Sequence, residues 1–176
     1  MPHLEFYPFA ILKSFNEFHL EVKWKVETII ALCGMDEIFK NLSEPLTMET
    51  MPYIVRFKFS GGVEAVSRLE DNPELERLSE KSPFKSEAER WGDEIYFELP
   101  IKLNLSGERR EMEVGEVAYW PPGNALCLFF GPTPVSKGDK PVAYSPVKPL
   151  GRITEGLENL RKVKDGEDVE VEIRKE

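Results

Sequence analysis

The sequence predicts a mainly β domain, a small closed or nearly closed barrel with two short helices, preceded by an N-terminal extension. Three observations point there. From Tyr53 onward, short alternating or apolar runs follow one another, separated by Gly and Pro turn signals. Only two stretches in that region carry a short helical pattern. There are no internal repeats, and many short strands with few helices are the signature of a barrel.

Residues 1–50 read differently from the rest. Between Glu17 and Phe39, apolar residues fall at Phe18, Leu20, Val22, Trp24, Val26, Ile29, Ile30 and Leu32. The early part alternates as a strand does, and the later part fits a short helix ended by Gly34; both readings stay open. Leu42 to Pro52 reads as a linker, since Pro45 and Pro52 interrupt regular structure.

The domain proper is expected over 51–176. Tyr53 to Phe59 alternates, Gly61-Gly62 signals a turn, and Val63 to Leu69 returns as the second arm of a hairpin. Asn72-Pro73 opens a short helix through about Lys81, with Asn as N-cap and Pro at the first helical position. Ser82-Pro83 stops it. Further strands are expected at Glu94–Leu103, Glu113–Trp120 and Ala125–Gly131, divided by Ser106-Gly107 and Pro121-Pro122-Gly123. A loop rich in Pro and Gly follows from Pro132 to Pro146. Then come a strand at Val147–Ile153, a short helix at Glu155–Lys162 and a closing strand at Asp168–Ile173.

Composition narrows the function classes. The chain is 41% hydrophobic with 11 Phe, 5 Tyr and 3 Trp, enough for a real core. A net charge of −9 opposes general binding to nucleic acid or to anionic membranes, both of which need a basic face. The longest apolar runs fall far short of the roughly 20 residues of a membrane span. No basic segment followed by an apolar run opens the chain, so the expected location is cytoplasmic. Cys33 and Cys127 have no metal-ligand spacing around them, and no Gly pattern opens a helix after a strand, so neither metal nor cofactor is expected. The chain has no Gln, and its 2 His are His3 and His19, so imidazole chemistry is excluded from the domain. Low Gln with high Glu and Lys is also a thermophile tendency.

Five segments carry a family resemblance. Gly151-Arg-Ile-Thr-Glu-Gly-Leu-Glu-Asn-Leu-Arg-Lys-Val resembles the C-terminal passage of cyclophilins, and Asn124-Ala-Leu-Cys-Leu-Phe-Phe resembles their Phe-Phe strand. Trp91-Gly-Asp-Glu-Ile-Tyr-Phe97, Val117-Ala-Tyr-Trp-Pro-Pro-Gly123 and Cys127-Leu-Phe-Phe-Gly-Pro-Thr-Pro134 are similar to a small prokaryotic cyclophilin-like family, largely of unassigned function. That family begins near Met51, which makes residues 1–50 either an added element or the product of too early a start codon.

The resemblance implies a cyclophilin-like barrel without the usual isomerase side chains. Aligned on Phe129-Phe130, Leu128 replaces the Gln of the Phe-Phe strand, and residues 135–147 contain neither the Trp nor the His of the following loop. The Arg-bearing strand motif is not recognisable. Isomerisation is helped by a donor that weakens an amide resonance worth a barrier of roughly 18–20 kcal/mol. Here Arg90 and Asn124 stand as the alternative donors, and Phe130 as a pocket wall.

The aromatic residues Trp91, Tyr96, Tyr119 and Trp120 have two readings: an aromatic cleft for a small molecule or proline-containing peptide, or packing in the barrel core and rim. Asp93, Glu94 and Glu116 read as separate residues of a solvated acidic face. Cys127, inside Ala-Leu-Cys-Leu-Phe-Phe, reads as an inert buried thiol. The functional expectation is a domain that binds a small molecule or short peptide through an aromatic pocket at Tyr96, Tyr119, Trp120, Asn124, Phe130 and Arg90, without isomerase activity. The alternative is a prolyl cis–trans isomerase with non-standard catalytic residues. A homo-oligomer in which residues 1–50 pack on a neighbour is the further expectation for partners.

Overall fold

Alternation of apolar and charged side chains drives the first hairpin: Tyr53, Val55, Phe57 and Phe59 turn inward from β1 (Tyr53–Phe59), and Ala65, Ser67 and Leu69 from β2 (Glu64–Leu69). The computed structural model describes residues 51–176; the strand, helix and linker readings for residues 1–50, and their status as an added element, fall outside the described residues. Asn72 caps α1 (Pro73–Ser79) by accepting a hydrogen bond from the Glu74 N–H at 2.9 Å, with Pro73 just inside. The helix buries Leu75 and Leu78 against the barrel.

The remaining elements are β3 (Phe84–Arg90), β4 (Glu94–Glu98), β5 (Arg109–Glu111), β6 (Glu116–Trp120), β7 (Ala125–Phe129), β8 (Val142–Glu155), a 3-10 helix (Leu157–Lys162) and β9 (Glu167–Lys175). The strand order is β2-β1-β9-β3-β4-β7-β6-β8, closed by β2 pairing with β8, while β5 flanks β8. All the pairings are antiparallel. The domain is thus a mainly β closed barrel with two short helices. Its interior core draws on all eight ring strands, from Phe57 and Phe97 (ring centroids 5.9 Å apart) to Val171. No helix among the described residues is long and apolar enough to cross a membrane.

Several boundaries differ from the sequence reading. β3 lies where no element was expected. Its sequence, Phe-Lys-Ser-Glu-Ala-Glu-Arg, buries only Ala88 fully, so backbone pairing with β9 rather than apolar content makes it a strand. The strand expected at Glu94–Leu103 ends at Glu98, before Pro100, although Leu99 and Leu103 still enter the core. β8 begins inside the stretch read as a loop and accommodates Pro146 and Pro149 where its pairings with β5 and β6 shift register.

β8 closes the ring through a tight passage. Gly151 pairs with Leu69 of β2 and with Val117 of β6, and a Cβ there would lie 2.1 Å from the Arg68 carbonyl oxygen. That neighbour is backbone and cannot turn aside. Gly151→Ala is therefore expected to destabilise the protein by about 1–3 kcal/mol, as overpacking does. Urea unfolding of the two proteins checks this, and an unchanged midpoint would mean that the closure has slack.

Candidate functional site

Because a strand sends successive side chains to opposite faces, β4, β7 and β6 each present a second set of residues outside the barrel. In β7 every residue is buried: Leu126 and Leu128 enter the interior core, while Cys127 and Phe129 join a second cluster with Met112, Ala118, Ala143 and Val147. Tyr96 and Trp120 pack at its edge. The register explains the grouping, since Cys127 lies opposite Tyr96 of β4 on one side and Ala118 of β6 on the other. The first half of β8 contributes Ala143 and Val147, and Met112 comes from just beyond β5.

Where this cover ends, a cavity of about 150 Å³ opens, lined by Trp91, Glu94, Tyr96, Trp120, Ala143, Tyr144 and Val147. Two edge-to-face ring pairs frame it. Trp91 meets Tyr144 with centroids 6.1 Å apart at 81°, and Tyr96 meets Trp120 at 6.1 Å and 80°. The Trp120 indole N–H donates to Ser145 Oγ at 2.7 Å, and the Tyr96 hydroxyl donates to Glu89. That bond, followed by burial and the charges of Glu89, Glu94 and Asp165, pushes the Tyr96 phenol up to about 12.

Glu94 is the unusual member of the lining. It has the same strand parity as Tyr96, so its side chain joins the outer cluster opposite Phe129. Only 6% of it is exposed, and its Oε2 has no hydrogen-bond partner among the described residues. Burial raises its carboxyl from 4.5 to about 7, against the smaller opposing effect of the Cys127 thiol. Cys127 is itself fully buried, and burial and then the Glu94 charge push its thiol well above the ordinary range. It is an inert thiol, as its strand sequence implied.

Of the acids expected on a solvated face, Glu94 and Glu116 are instead buried. Glu116 is paired: it accepts from Arg109 at 2.7 Å and from the Glu113 N–H at 2.8 Å. Asp93 is also engaged, with Arg161 at 2.6 Å and Arg90 at 3.3 Å.

The residues expected to form a pocket divide between the two faces of the sheet. Tyr96 and Trp120 line the cavity, joined by Trp91. Tyr119, next to Trp120 on β6, points into the barrel; its hydroxyl lies 3.0 Å from Asn124 Oδ1 and 3.3 Å from the Leu103 carbonyl. Asn124 holds the β6–β7 turn at φ 47° and donates through Nδ2 to the Leu99 carbonyl at 3.0 Å. Phe130 belongs to the interior core, with the guanidinium groups of Arg90 and Arg161 over its ring at 5.4 and 5.9 Å. Arg90 itself donates to the carbonyls of Gly92 at 3.0 Å, Arg161 at 2.8 Å and Val163 at 3.0 Å. Tyr119, Asn124, Phe130 and Arg90 are therefore outside the cavity lining. The residues the sequence reading missed are Glu94, whose parity with Tyr96 was the available signal, and Ala143, Tyr144 and Val147, hidden by the loop-like composition before β8.

A family model described as Cyclophilin-like matches residues 53–172. Among solved structures, the solution structure of the hypothetical protein AF2241 from Archaeoglobus fulgidus is similar. It is 38% identical in sequence with a TM-score of 0.62, covering 72% of this chain and 98% of that one. No curated protein matches the chain.

The Glu94 carboxyl gives the fold a pH signature. Its folded-state value is raised, so between about pH 4.5 and 7 the folded protein holds a proton that the unfolded chain has released, and stability falls as pH rises through that window. At 1.36 kcal/mol per pH unit, the loss from this group approaches about 3 kcal/mol by pH 8. Glu94→Gln is expected to remove most of this loss. Denaturant unfolding of both proteins at pH 4 and pH 8 measures it; parallel pH dependence would show that Glu94 titrates normally.

Proposed function

The chain belongs to the cyclophilin-like family, and from that premise we propose that its barrel domain binds a small molecule or a short peptide in the aromatic cavity outside β4, β7 and β6, without prolyl isomerase chemistry. The observation that carries the reading is the cavity itself: four aromatic rings and a buried carboxyl whose Oε2 has no partner among the described residues converge on about 150 Å³. That is smaller than the roughly 300–1,000 Å³ of drug-sized sites, so a head group or a single side chain is the fitting occupant.

The absence of isomerase chemistry is supported by what the alternative donors do. Every nitrogen of the Arg90 guanidinium already donates to a carbonyl or to Asp93, and Asn124 Nδ2 is bonded to Leu99. A group that weakens amide resonance must point at the substrate, and these two hold turns of the barrel instead.

A fragment library of small amines, alcohols, carboxylates and X-Pro peptides, followed by amide chemical shifts, tests the reading. Shifts are expected to cluster on Trp91, Glu94, Trp120 and Tyr144, and Trp120→Ala should weaken the best hit by about tenfold or more, as loss of a ring in a desolvated site does. Exchange spectroscopy on the same X-Pro peptides should show unaccelerated cis–trans exchange. Shifts confined to another face would displace the site, and accelerated exchange would make the protein an isomerase.

A further inference from the structure

We infer that the cavity recognises an organic cation, a quaternary ammonium or protonated amine head group, held by the Trp91, Tyr96, Trp120 and Tyr144 rings with Glu94 as counter-charge. This rests on the ligand-binding reading above and names its chemical class.

The argument starts from which polar atoms remain free. The Tyr96 hydroxyl is bonded to Glu89 and the Trp120 N–H to Ser145, so these two residues offer the cavity mainly ring surface. Glu94 Oε2 is the one buried polar side-chain atom of the lining without a partner. An anion would meet that carboxyl and find no basic side chain in the lining. A neutral apolar ligand would leave Glu94 Oε2 without a partner in an even drier site, which is costly. A cation answers both features, because ring faces carry negative quadrupole density and the carboxylate supplies full charge.

The surroundings have the same sign. The carboxylates of Glu89, Glu94 and Asp165 all act on the Tyr96 phenol. The titratable groups facing Glu94 are Cys127 from β7, Tyr96 from its own strand and Tyr144 from β8; β6 contributes Ala118 and Trp120, which carry no charge. Arg90, the nearby cation, is tied to backbone carbonyls and Asp93.

The test compares choline with 3,3-dimethylbutan-1-ol, its neutral analogue of nearly the same shape, by titration calorimetry on the full chain. Choline is expected to bind about tenfold or more tighter than the alcohol. Choline carries a fixed charge, so its affinity should rise between about pH 5.5 and 8.5 as Glu94 ionises, and this rise should vanish in Glu94→Gln. Tyr144→Ala, at a residue 70% exposed and so outside the core, should also weaken choline binding. Equal affinity for the two probes overturns the cation inference and leaves an apolar binding site standing. No choline binding, with hits among the neutral fragments, overturns it likewise. Silence from choline and from the whole library removes both this inference and the binding reading.

Discussion

The two-faced character of β4, β7 and β6 is the constraint on which the rest of the structure depends. Closing the barrel through β2 and β8 satisfies one face of these strands and leaves the other, with Cys127, Phe129, Ala118 and Trp120, in need of cover. Leaving such side chains in water forfeits about 1.5–3 kcal/mol for each large one. The cover comes from Met112, beside β5, and from the first half of β8, whose second half closes the ring. One long strand thus couples two jobs. The bulges and prolines of β8 follow from that, because a strand serving two surfaces must bend between them. The cavity is the place where the cover stops.

Two buried glutamates show what the cavity does to a charge. Glu116 and Glu94 are almost equally hidden, at 7% and 6% exposure. Glu116 accepts from Arg109 and from the Glu113 N–H, so its burial is compensated within the fold. Glu94 has no such partner at Oε2, and its carboxyl is pushed to about 7. The same residue type at the same depth is structural in one place and strained in the other. The difference lies in the neighbours alone: a basic strand edge beside Glu116, aromatic rings and a thiol beside Glu94.

Much of the fold was legible in the sequence because alternation, turn residues and the Asn72 cap each act locally. β3 was not, since its one fully buried residue, Ala88, gives no apolar period and its partner β9 lies some eighty residues away. The cavity lining was half legible for a related reason. Aromatic type identified Trp91, Tyr96 and Trp120, but composition does not report which face a side chain takes. Tyr119 and Trp120 are neighbours, and a strand sends neighbours apart; naming both as one pocket guaranteed that one of them would fall inside. Glu94 was read as one acid among many, although it stands two residues from Tyr96 and therefore on the same face.

The location of the hydrogen-bond donors bears on what this barrel can do chemically. Arg90 and Arg161 sandwich their guanidinium groups between the Phe130 ring and Asp93, which fixes the β3–β4 turn that carries Trp91 and Glu94. Asn124 in turn ties the β6–β7 turn to Leu99 and to Tyr119. Releasing either group would loosen a turn next to a lining residue, Trp91 in one case and Trp120 in the other. In the structure these donors are engaged in holding the turns of the barrel. What the lining leaves unpartnered among the described residues is an acceptor, Glu94 Oε2.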